Sequence, residues 1–236
     1  MFQNSACTLN GKHTFYDYGL YVGNNMPVAP PAVRKQMIEV PGRNGDIDLT
    51  EALTGYTVYN NRQITLQLGG KKDPRTWHSF ISSFLNEIHG KTVRVIFDDD
   101  PEFYYIGRAE VQGDAVKGNE ICSFTVIIDA EPYKYSLHDT SEPWLWDPFS
   151  FVDGVIRTYT DIQVNGTKTV QLINDLMPVI PIITTSAAMT VRFNGTTYNL
   201  SAGANKIYDI SLGPGENTLV FTGSGTVSIK FRPGRL

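Results

Sequence analysis

Residues 40–68 read VPGRNGDIDLTEALTGYTVYNNRQITLQL, and this stretch decides how the first part of the chain folds. It opens with a run of Pro, Gly, Asn and Asp, which favours a turn. Asp48 and Glu51 then have the spacing of a helix N-cap and its partner three residues later, and Gly55 would close one helical turn. From Arg62 to Leu68 apolar and polar side chains alternate, which predicts a strand with one buried face.

The flanking segments extend this pattern into a unit of strands with one helix. Upstream, Asn10-Gly11 predicts a hairpin turn. Downstream, residues 74–89 carry apolar side chains at helical spacing, with Asp73 as N-cap and Gly90 as the end. Three further strands are predicted at residues 91–97, 103–111 and 120–129. The first part is therefore predicted to be α+β, a β-sandwich or split barrel with one helix.

A change of character at residues 131–151, rich in proline and aromatic side chains, marks a domain junction. We predict two domains, residues 1–137 and 138–236. The second shows short strand patterns separated by turn signals, which predict a jelly-roll or similar β-sandwich, so the whole chain is mainly β. These strands are predicted at residues 155–164, 169–173, 179–184, 190–193, 198–200, 206–212, 217–221 and 226–231. The turns are predicted at Asn165-Gly166, Asn194-Gly195, residues 213–215 and residues 223–225.

Composition argues against several classes of function. The net charge is −4 without a basic block, so binding to nucleic acid is not expected. No signal peptide and no bilayer-spanning run are recognised, which predicts synthesis in a cytoplasm and no membrane insertion. Cys7 and Cys122 have no metal-type spacing and are interpreted as buried reduced thiols, although a bridge between them stays open.

Residue patterns predict no catalytic, cofactor-binding or metal site. No serine lies in a GxSxG motif, no histidines form an HExxH pair, and no phosphate-binding loop has the required spacing. The acidic run at residues 98–100 offers carboxylates for calcium, but a solvated hairpin turn explains it better. We therefore predict that the protein is not an enzyme and needs no cofactor.

Trp144 and Trp146 lie two residues apart, so they share one face if the segment is extended. If exposed, they would stack on a sugar or contact a partner protein. If buried, they would hold the two domains together, which suits a junction rich in proline and aromatic residues.

Several pieces of the sequence together resemble the distal tail proteins (Dit) of siphophages. They are residues 17–20 (DYGL), residues 40–55 (VPGRNGDIDLTEALTG), residues 59–62 (YNNR), and the helix and hairpin that follow. The resemblance covers roughly the first 130 residues and rests on their order and spacing. It implies a tail-tube-like N-terminal domain and a galectin-like C-terminal domain, although the sugar-stacking tryptophan of galectins has no counterpart in this sequence.

The resemblance implies a structural role at the distal end of a long, non-contractile phage tail. Such proteins form a hexameric ring, a homo-hexamer that serves as baseplate hub. The expected partners are the tail tube protein, a tail-tip or hub protein of the tail-associated lysin type, and receptor-binding proteins involved in host attachment. DNA would only pass through the lumen.

The charged loop after Val40 has two interpretations. Its charges are solvated and contribute little, or the loop contacts a neighbouring copy in a ring. The resemblance favours the second, so the predicted subunit interface consists of Arg43, Asn44, Asp46, Asp48 and Glu51. The alternative function is a carbohydrate- or host-receptor-binding module based on Trp144 and Trp146, and a cell-wall hydrolase is a third, less supported class.

Overall fold

The structure, a computed structural model, describes residues 6–23, 28–71, 73, 75–117, 121–142 and 159–236. Backbone contacts divide the chain into two compact units. The first comprises residues 1–134 with Leu236, and the second residues 135–235. Where the functional domains begin and end remains a prediction.

The first unit contains one helix and short and long strands within its described residues, which confirms the predicted mainly-β, α+β class. The elements are β1 (Cys7–Leu9), β2 (Lys12–His13), β3 (Tyr21–Val22), β4 (Met37–Ile38), β5 (Ile47–Asp48), β6 (Arg62–Lys71), α1 (Trp77–Ile88), β7 (Thr92–Phe97), β8 (Phe103–Lys117) and β9 (Ile121–Ala130). Asn10 and Gly11 both have positive φ between β1 and β2, as the predicted hairpin turn requires.

Seven strands of this unit form an antiparallel sheet in the order β2-β1-β7-β8-β9-β6-β3. Residues 14–20 connect its two edge strands, β2 and β3. The connection is compact: the N–H of Gly19 donates to the carbonyl of Phe15 at 2.8 Å, and the rings of Phe15 and Tyr21 lie 4.6 Å apart. A flat sheet of this width would span about 29 Å at about 4.8 Å per strand. The sheet therefore curls until its edges approach each other.

Helix α1 packs its apolar stripe into the core of this curled sheet. Trp77, Phe84 and Ile88 are buried, and the Phe84 ring lies 5.1 Å from that of Tyr18 and 5.0 Å from that of Phe124. The predicted start at residue 74 was wrong, since the helix begins at Trp77. The preceding residues form a separate turn, in which a carboxylate oxygen of Asp73 accepts the Arg75 N–H at 2.9 Å.

The second unit is built from strands, and β10 spans the division between the units. Its elements are β10 (Lys134–Ser136), β11 (Ile162–Asn174), β12 (Ile182–Thr185), β13 (Met189–Phe193), β14 (Thr196–Leu200), β15 (Gly203–Lys206), β16 (Gly215–Lys230) and β17 (Gly234–Arg235). A β-rich second part is confirmed, while its likeness to galectins stays a prediction.

Strands β11 and β16 form a long two-stranded ribbon that organises this unit. They pair without interruption from Ile162↔Val227 to Asn174↔Gly215. On its other edge β16 pairs with β13 through its first half and with β12 through its second half. Both halves point apolar side chains into one core, including Leu219, Phe221, Val227 and Ile229.

Two predicted turns were wrong, because both lie inside these continuous strands. The segment at Asn165-Gly166 pairs directly with the segment at residues 223–225. Gly223 and Gly225 have positive φ values of +154° and +146°, which glycine adopts more readily than other residues, and a Cβ on Gly223 would lie 2.5 Å from the Cβ of Met189. These glycines therefore allow close approach of β13 rather than a chain reversal.

The strand predicted at residues 206–212 was also misplaced, because β15 ends at Lys206. An asparagine sets the preceding turn: the Asn205 Nδ2 donates to the carbonyls of Ser201 at 2.8 Å and Gly203 at 2.9 Å.

Within the described residues, no helix combines the length and apolar character needed to cross a membrane.

Asp139 and Thr140 attach the start of the second unit to the end of β16. The Thr140 N–H donates to the carbonyl of Phe231 at 3.1 Å, and the Phe231 N–H donates to the Thr140 Oγ1 at 2.9 Å. The nearly buried carboxylate of Asp139 pairs with Lys230 at 3.0 Å and with Arg232 at 3.4 Å. A buried anion is thus matched by two cations.

Candidate functional site

Residues 32–60 form an arm, a long hairpin that leaves the first unit and returns to it. At its base the N–H of Asn60 donates to the carbonyl of Ala32 at 2.8 Å, and the N–H of Arg34 to that of Val58 at 2.8 Å. Farther out, β4 pairs with β5. The arm is therefore held together by backbone hydrogen bonds along both of its sides.

The arm tip, residues 39–46, reverses the chain. The N–H of Arg43 donates to the carbonyl of Val40 at 3.1 Å. Gly42 and Gly45 have φ of +81° and +77°, a backbone conformation that glycine adopts most readily. The predicted turn is present.

The arm has no buried residue, since every side chain from 32 to 60 is exposed or half-buried. Several of the exposed side chains are large and apolar: Val33, Met37, Ile38, Leu53 and Tyr56. Leu53 is the extreme case, with 92% of its surface exposed. Apolar side chains collected on a projecting element are typical of a surface that binds another protein.

The structure separates the five predicted interface residues into two groups. Arg43, Asn44 and Asp46 lie in the arm tip and are exposed. Asp48 lies in β5 and Glu51 in the turn that follows, where both line a pocket. The sequence placed all five in one loop, but they occupy different levels of the arm.

The predicted turn of helix between Asp48 and Gly55 is present as a single turn: the N–H of Gly55 donates to the carbonyl of Glu51 at 2.7 Å, and Gly55 has a φ of +73°. The turn does not continue into a helix. A carboxylate oxygen of Asp48 accepts the N–H of Thr50 at 2.9 Å, while Glu51 accepts the hydroxyl of Thr57 at 2.6 Å. Asp48 therefore caps the start of this turn, while the side chain of Glu51 holds the residues that follow the turn through Thr57. Hydrogen bonds from Thr50, with a smaller contribution from Lys35, hold the pKa of Asp48 below its usual range.

The arm pocket is an open concavity of about 750 Å³ between the two sides of the arm. Apolar groups are contributed by Val33, Ala52 and Tyr59, and charged groups by Lys35, Asp48 and Glu51. Its lining is completed by Thr50, Gly55 and Thr57. Two carboxylates against one ammonium make the lining acidic, so the pocket suits a group with an apolar stem and a positive end.

Sequence reasoning missed Val33, Lys35, Leu53 and Tyr59 as parts of this surface. Their exposure or inclusion in the pocket depends on the pairing between residues 32–36 and 50–60. One signal in the sequence could have indicated the exposure of this surface. Apolar and charged residues alternate irregularly through residues 33–40, as in a segment without a buried face.

The other candidates carry no site within the described residues. Trp144 and Trp146 lie outside them. Asp98 forms a hydrogen bond with the His13 Nε2 at 3.0 Å, and Asp100 forms an ion pair with the Lys134 Nζ at 2.7 Å, so both ends of the acidic run have side-chain partners. In the part of the chain that the structure describes, no group of three or more His, Cys, Asp and Glu is placed to hold a metal ion. Burial raises the pKa of the Cys7 thiol to about 12.

No protein-family model and no curated protein matches the chain by sequence. Among solved structures, the chain is similar to SPP1 Dit (gp 19.1), described as a paradigm of the hub adsorption apparatus in phages infecting Gram-positive bacteria. The two share 14% sequence identity with a TM-score of 0.58, and the match covers 98% of this chain and 99% of that one. The resemblance to Dit is thus confirmed at the level of the fold.

Proposed function

We propose that this protein is a structural component of a siphophage tail that forms the hub ring at its distal end. The observation that carries the proposal is the correspondence of fold with SPP1 Dit over nearly the whole length of both chains. It is independent of the motifs that suggested the family, since it includes the second unit, where the sequence resemblance is weak. The role is assembly and involves no reaction.

The arm supports self-association of the first unit. A hairpin without a core exposes its apolar side chains to water at a cost of about 25 cal/mol per Å². Covering it with a second copy would remove that cost and satisfy its outer backbone groups. The proposed interface includes Arg43, Asn44 and Asp46 at the tip with Asp48 and Glu51 in the pocket, and the proposed ring has six copies, as the resemblance implies.

The proposed ring joins three kinds of partner. The tail tube protein lies above it, and a tail-tip hub protein of the tail-associated lysin type lies below it. The second unit, proposed to be galectin-like, carries the receptor-binding proteins used in host attachment. Trp144 and Trp146 are proposed to contact a partner or to join the two domains. DNA passes through the lumen of the ring without being bound.

Light scattering after size exclusion, followed by negative-stain imaging of the same peak, tests this proposal. A six-copy mass with ring-shaped particles is expected. A matched variant in which residues 39–46 are replaced by a two-residue Asn-Gly turn keeps both units and is expected to stay monomeric. A wild-type chain that remains monomeric both alone and with purified tail tubes would overturn the proposal.

A further inference from the structure

Residues 13–20 form a turn whose hydrogen bonds converge on His13, and we call it the His13 turn. The Nδ1 of the imidazole ring accepts the N–H of Phe15 and the N–H of Tyr16, each at 3.2 Å. The N–H of His13 donates to the Asp17 Oδ2 at 2.6 Å, and the carbonyl of His13 accepts the N–H of Asp17 at 3.0 Å. The backbone and the side chain of one residue therefore hold this turn together.

These contacts determine which nitrogen of the His13 ring carries the hydrogen. Because Nδ1 faces two N–H donors, it is the unprotonated nitrogen of a neutral imidazole. Nε2 then carries the hydrogen and donates it to the carboxylate of Asp98, whose two oxygens lie at 3.0 Å and 3.2 Å. The ring is half-buried, and the Tyr16 ring packs against it with the centroids 4.5 Å apart. The turn therefore requires one particular tautomer of His13.

The charged side chains around His13 act on it differently. Asp98 contacts the ring at Nε2, whereas Asp17 contacts the backbone N–H. Lys12, the preceding residue of β2, forms an ion pair with Glu87 of α1 at 2.6 Å. The charge of Lys12 is therefore matched by a carboxylate other than Asp98.

The neighbouring strand β1 contributes no charge to the ring. Thr8, which pairs with His13 across the two strands, is neutral. Burial raises the pKa of the Cys7 thiol to about 12, so the thiol stays protonated. Two opposing influences on the ring remain: the Asp98 carboxylate favours a positive imidazole, and the two N–H donors at Nδ1 favour a neutral one.

From this arrangement we infer that acid opens the His13 turn. Histidine is the side chain whose charge changes between about pH 5 and about pH 8. A proton on Nδ1 turns the acceptor into a donor, so the N–H groups of Phe15 and Tyr16 lose their partner. Asp98 then pairs with a positive ring and keeps it in place, which confines the change to the turn.

The position of the turn gives this opening a structural consequence. Residues 14–20 connect β2 and β3, the two edge strands of the curled sheet. The N–H of Gly19 donates to the carbonyl of Phe15, and the N–H of Leu20 to that of Thr14, both at 2.8 Å. Release of the Phe15 and Tyr16 N–H groups therefore loosens the closure between the two edges of the sheet. The inference is independent of the proposed ring.

Hydrogen–deuterium exchange of the full chain, corrected for the intrinsic pH dependence of amide exchange, tests this inference. In the wild type, residues 14–20 are expected to exchange about 10- to 100-fold faster at about pH 5 than at about pH 7.5, because two hydrogen bonds are lost. Corrected exchange in residues 62–68 of β6 is expected to remain unchanged between the two pH values.

Two substitutions of His13 separate the acceptor from the charge. His13→Asn keeps an acceptor at the δ position and cannot gain a proton, so the turn should stay protected at both pH values. His13→Gln moves the amide to the ε position, so the turn should exchange fast at both pH values. His78→Asn, the same change at an exposed histidine of α1, is the matched control and should respond to acid as the wild type does. Far-UV circular dichroism confirms that each variant is folded.

Asp98→Asn tests the part that the carboxylate plays. Without the negative charge beside Nε2 a positive imidazole is less favoured, so opening of the turn should require a lower pH than in the wild type. An acid response at the same pH as in the wild type would overturn the assignment of Asp98 as the partner of the charged ring.

The remaining outcomes decide the inference itself. A wild-type turn that stays protected at about pH 5 would overturn it, and so would an equal acid response in His13→Asn. A His13→Asn turn that is unprotected at about pH 7.5, or a His13→Gln turn as protected as the wild type, would overturn the assignment of Nδ1 as the acceptor. The proposed ring, which is measured by mass and imaging, stands or falls separately.

Discussion

The arm of the first unit and the β11–β16 ribbon of the second are both long, two-stranded and rich in Gly and Asn, yet their burial is opposite. The ribbon buries alternate side chains over most of its length, and its core includes Leu172 and Phe221. The arm buries none. The same turn-forming residues therefore end a strand in one region and lie inside a strand in the other.

The difference teaches that burial decides how a Gly- and Asn-rich segment is used. In the ribbon, two such segments face each other, and the apolar residues on either side are anchored in a core. Pairing continues because interruption would expose that core. In the arm no core holds the flanking residues, so the glycines turn the chain and the apolar surface remains available to a partner.

Removing a core side chain from the ribbon should give the largest effect. Phe221 is fully buried, so Phe221→Ala should lower the stability of the second unit by about 3–5 kcal/mol. The matched change in the arm, Tyr56→Ala, removes a partly exposed ring and should cost at most about 1 kcal/mol. Hydrogen–deuterium exchange of peptides from each unit measures both. Equal losses of stability in Phe221→Ala and Tyr56→Ala would refute the contrast between a buried ribbon and an exposed arm.

Adding a methyl group to a glycine of each region should give the next largest effect. Gly223→Ala places a Cβ against Met189 at a positive φ and should destabilise the second unit by about 2–4 kcal/mol. Gly42→Ala meets no atom within 4 Å, so only its backbone conformation opposes it, at about 1–2 kcal/mol.

Exchange rates in β16 distinguish the two glycine variants. They should rise in Gly223→Ala and remain at the wild-type level in Gly42→Ala, whose effect is confined to the arm tip. Unchanged exchange rates in β16 of Gly223→Ala would mean that β13 moves aside without loss of stability.

Asp139 and Asp48 allow a comparison of pH dependence. Burial acts to raise the pKa of Asp139, but hydrogen bonds from Ser141 and the Lys230 ammonium outweigh it, so the pKa lies below its usual range. A carboxyl group whose pKa is lowered in the folded state stabilises the protein at pH values above its usual pKa of about 4. This stabilisation is lost as the pH falls through the lowered pKa. Asp139→Asn should therefore cost about 1–3 kcal/mol at pH 7, and this difference from wild type should shrink below pH of about 4.

The matched variant Asp48→Asn should also lower the stability at pH 7, but by less than Asp139→Asn, because the carboxylate of Asp48 is exposed. Urea unfolding of the full chain at a series of pH values, from about 2.5 to about 7, supplies the comparison. A difference for Asp139→Asn that stays constant with pH would contradict the assignment of its stabilising role to the charged form.

Much of the first unit followed from local signals. The Asn10-Gly11 hairpin and the alternation in β6 were predicted, because each depends on neighbouring residues. The helix was also predicted, although its start was set by the turn at Asp73. The continuity of β11 and β16 was not predictable in this way, since it depends on two distant Gly-rich segments facing each other.

The candidate site was only partly predictable for a related reason. Arg43 and Glu51 were recognised by charge and by their place in a turn-rich segment. Their separation into tip and pocket depends on the pairing of residues 32–36 with 50–60. The exposure of Leu53 was hidden as well, because its sequence context resembles a helical turn with one apolar face.

Leu53 provides the prediction with the smallest effect on the isolated chain. Since 92% of its surface is exposed, Leu53→Ser should change monomer stability by no more than about 0.5 kcal/mol. If the arm is covered in the ring, the same change should weaken each contact by about 1.5–3 kcal/mol, the value of burying one leucine side chain.

Tyr208→Ser, at a position of the second unit with 71% exposure, is the matched control and should alter neither quantity. Melting of the monomer and light scattering of the assembled protein separate the two effects. A ring fraction that is unchanged in Leu53→Ser would place this side chain in solvent within the assembly, and the covered part of the arm would then have to involve its other exposed apolar side chains, such as Met37 or Ile38.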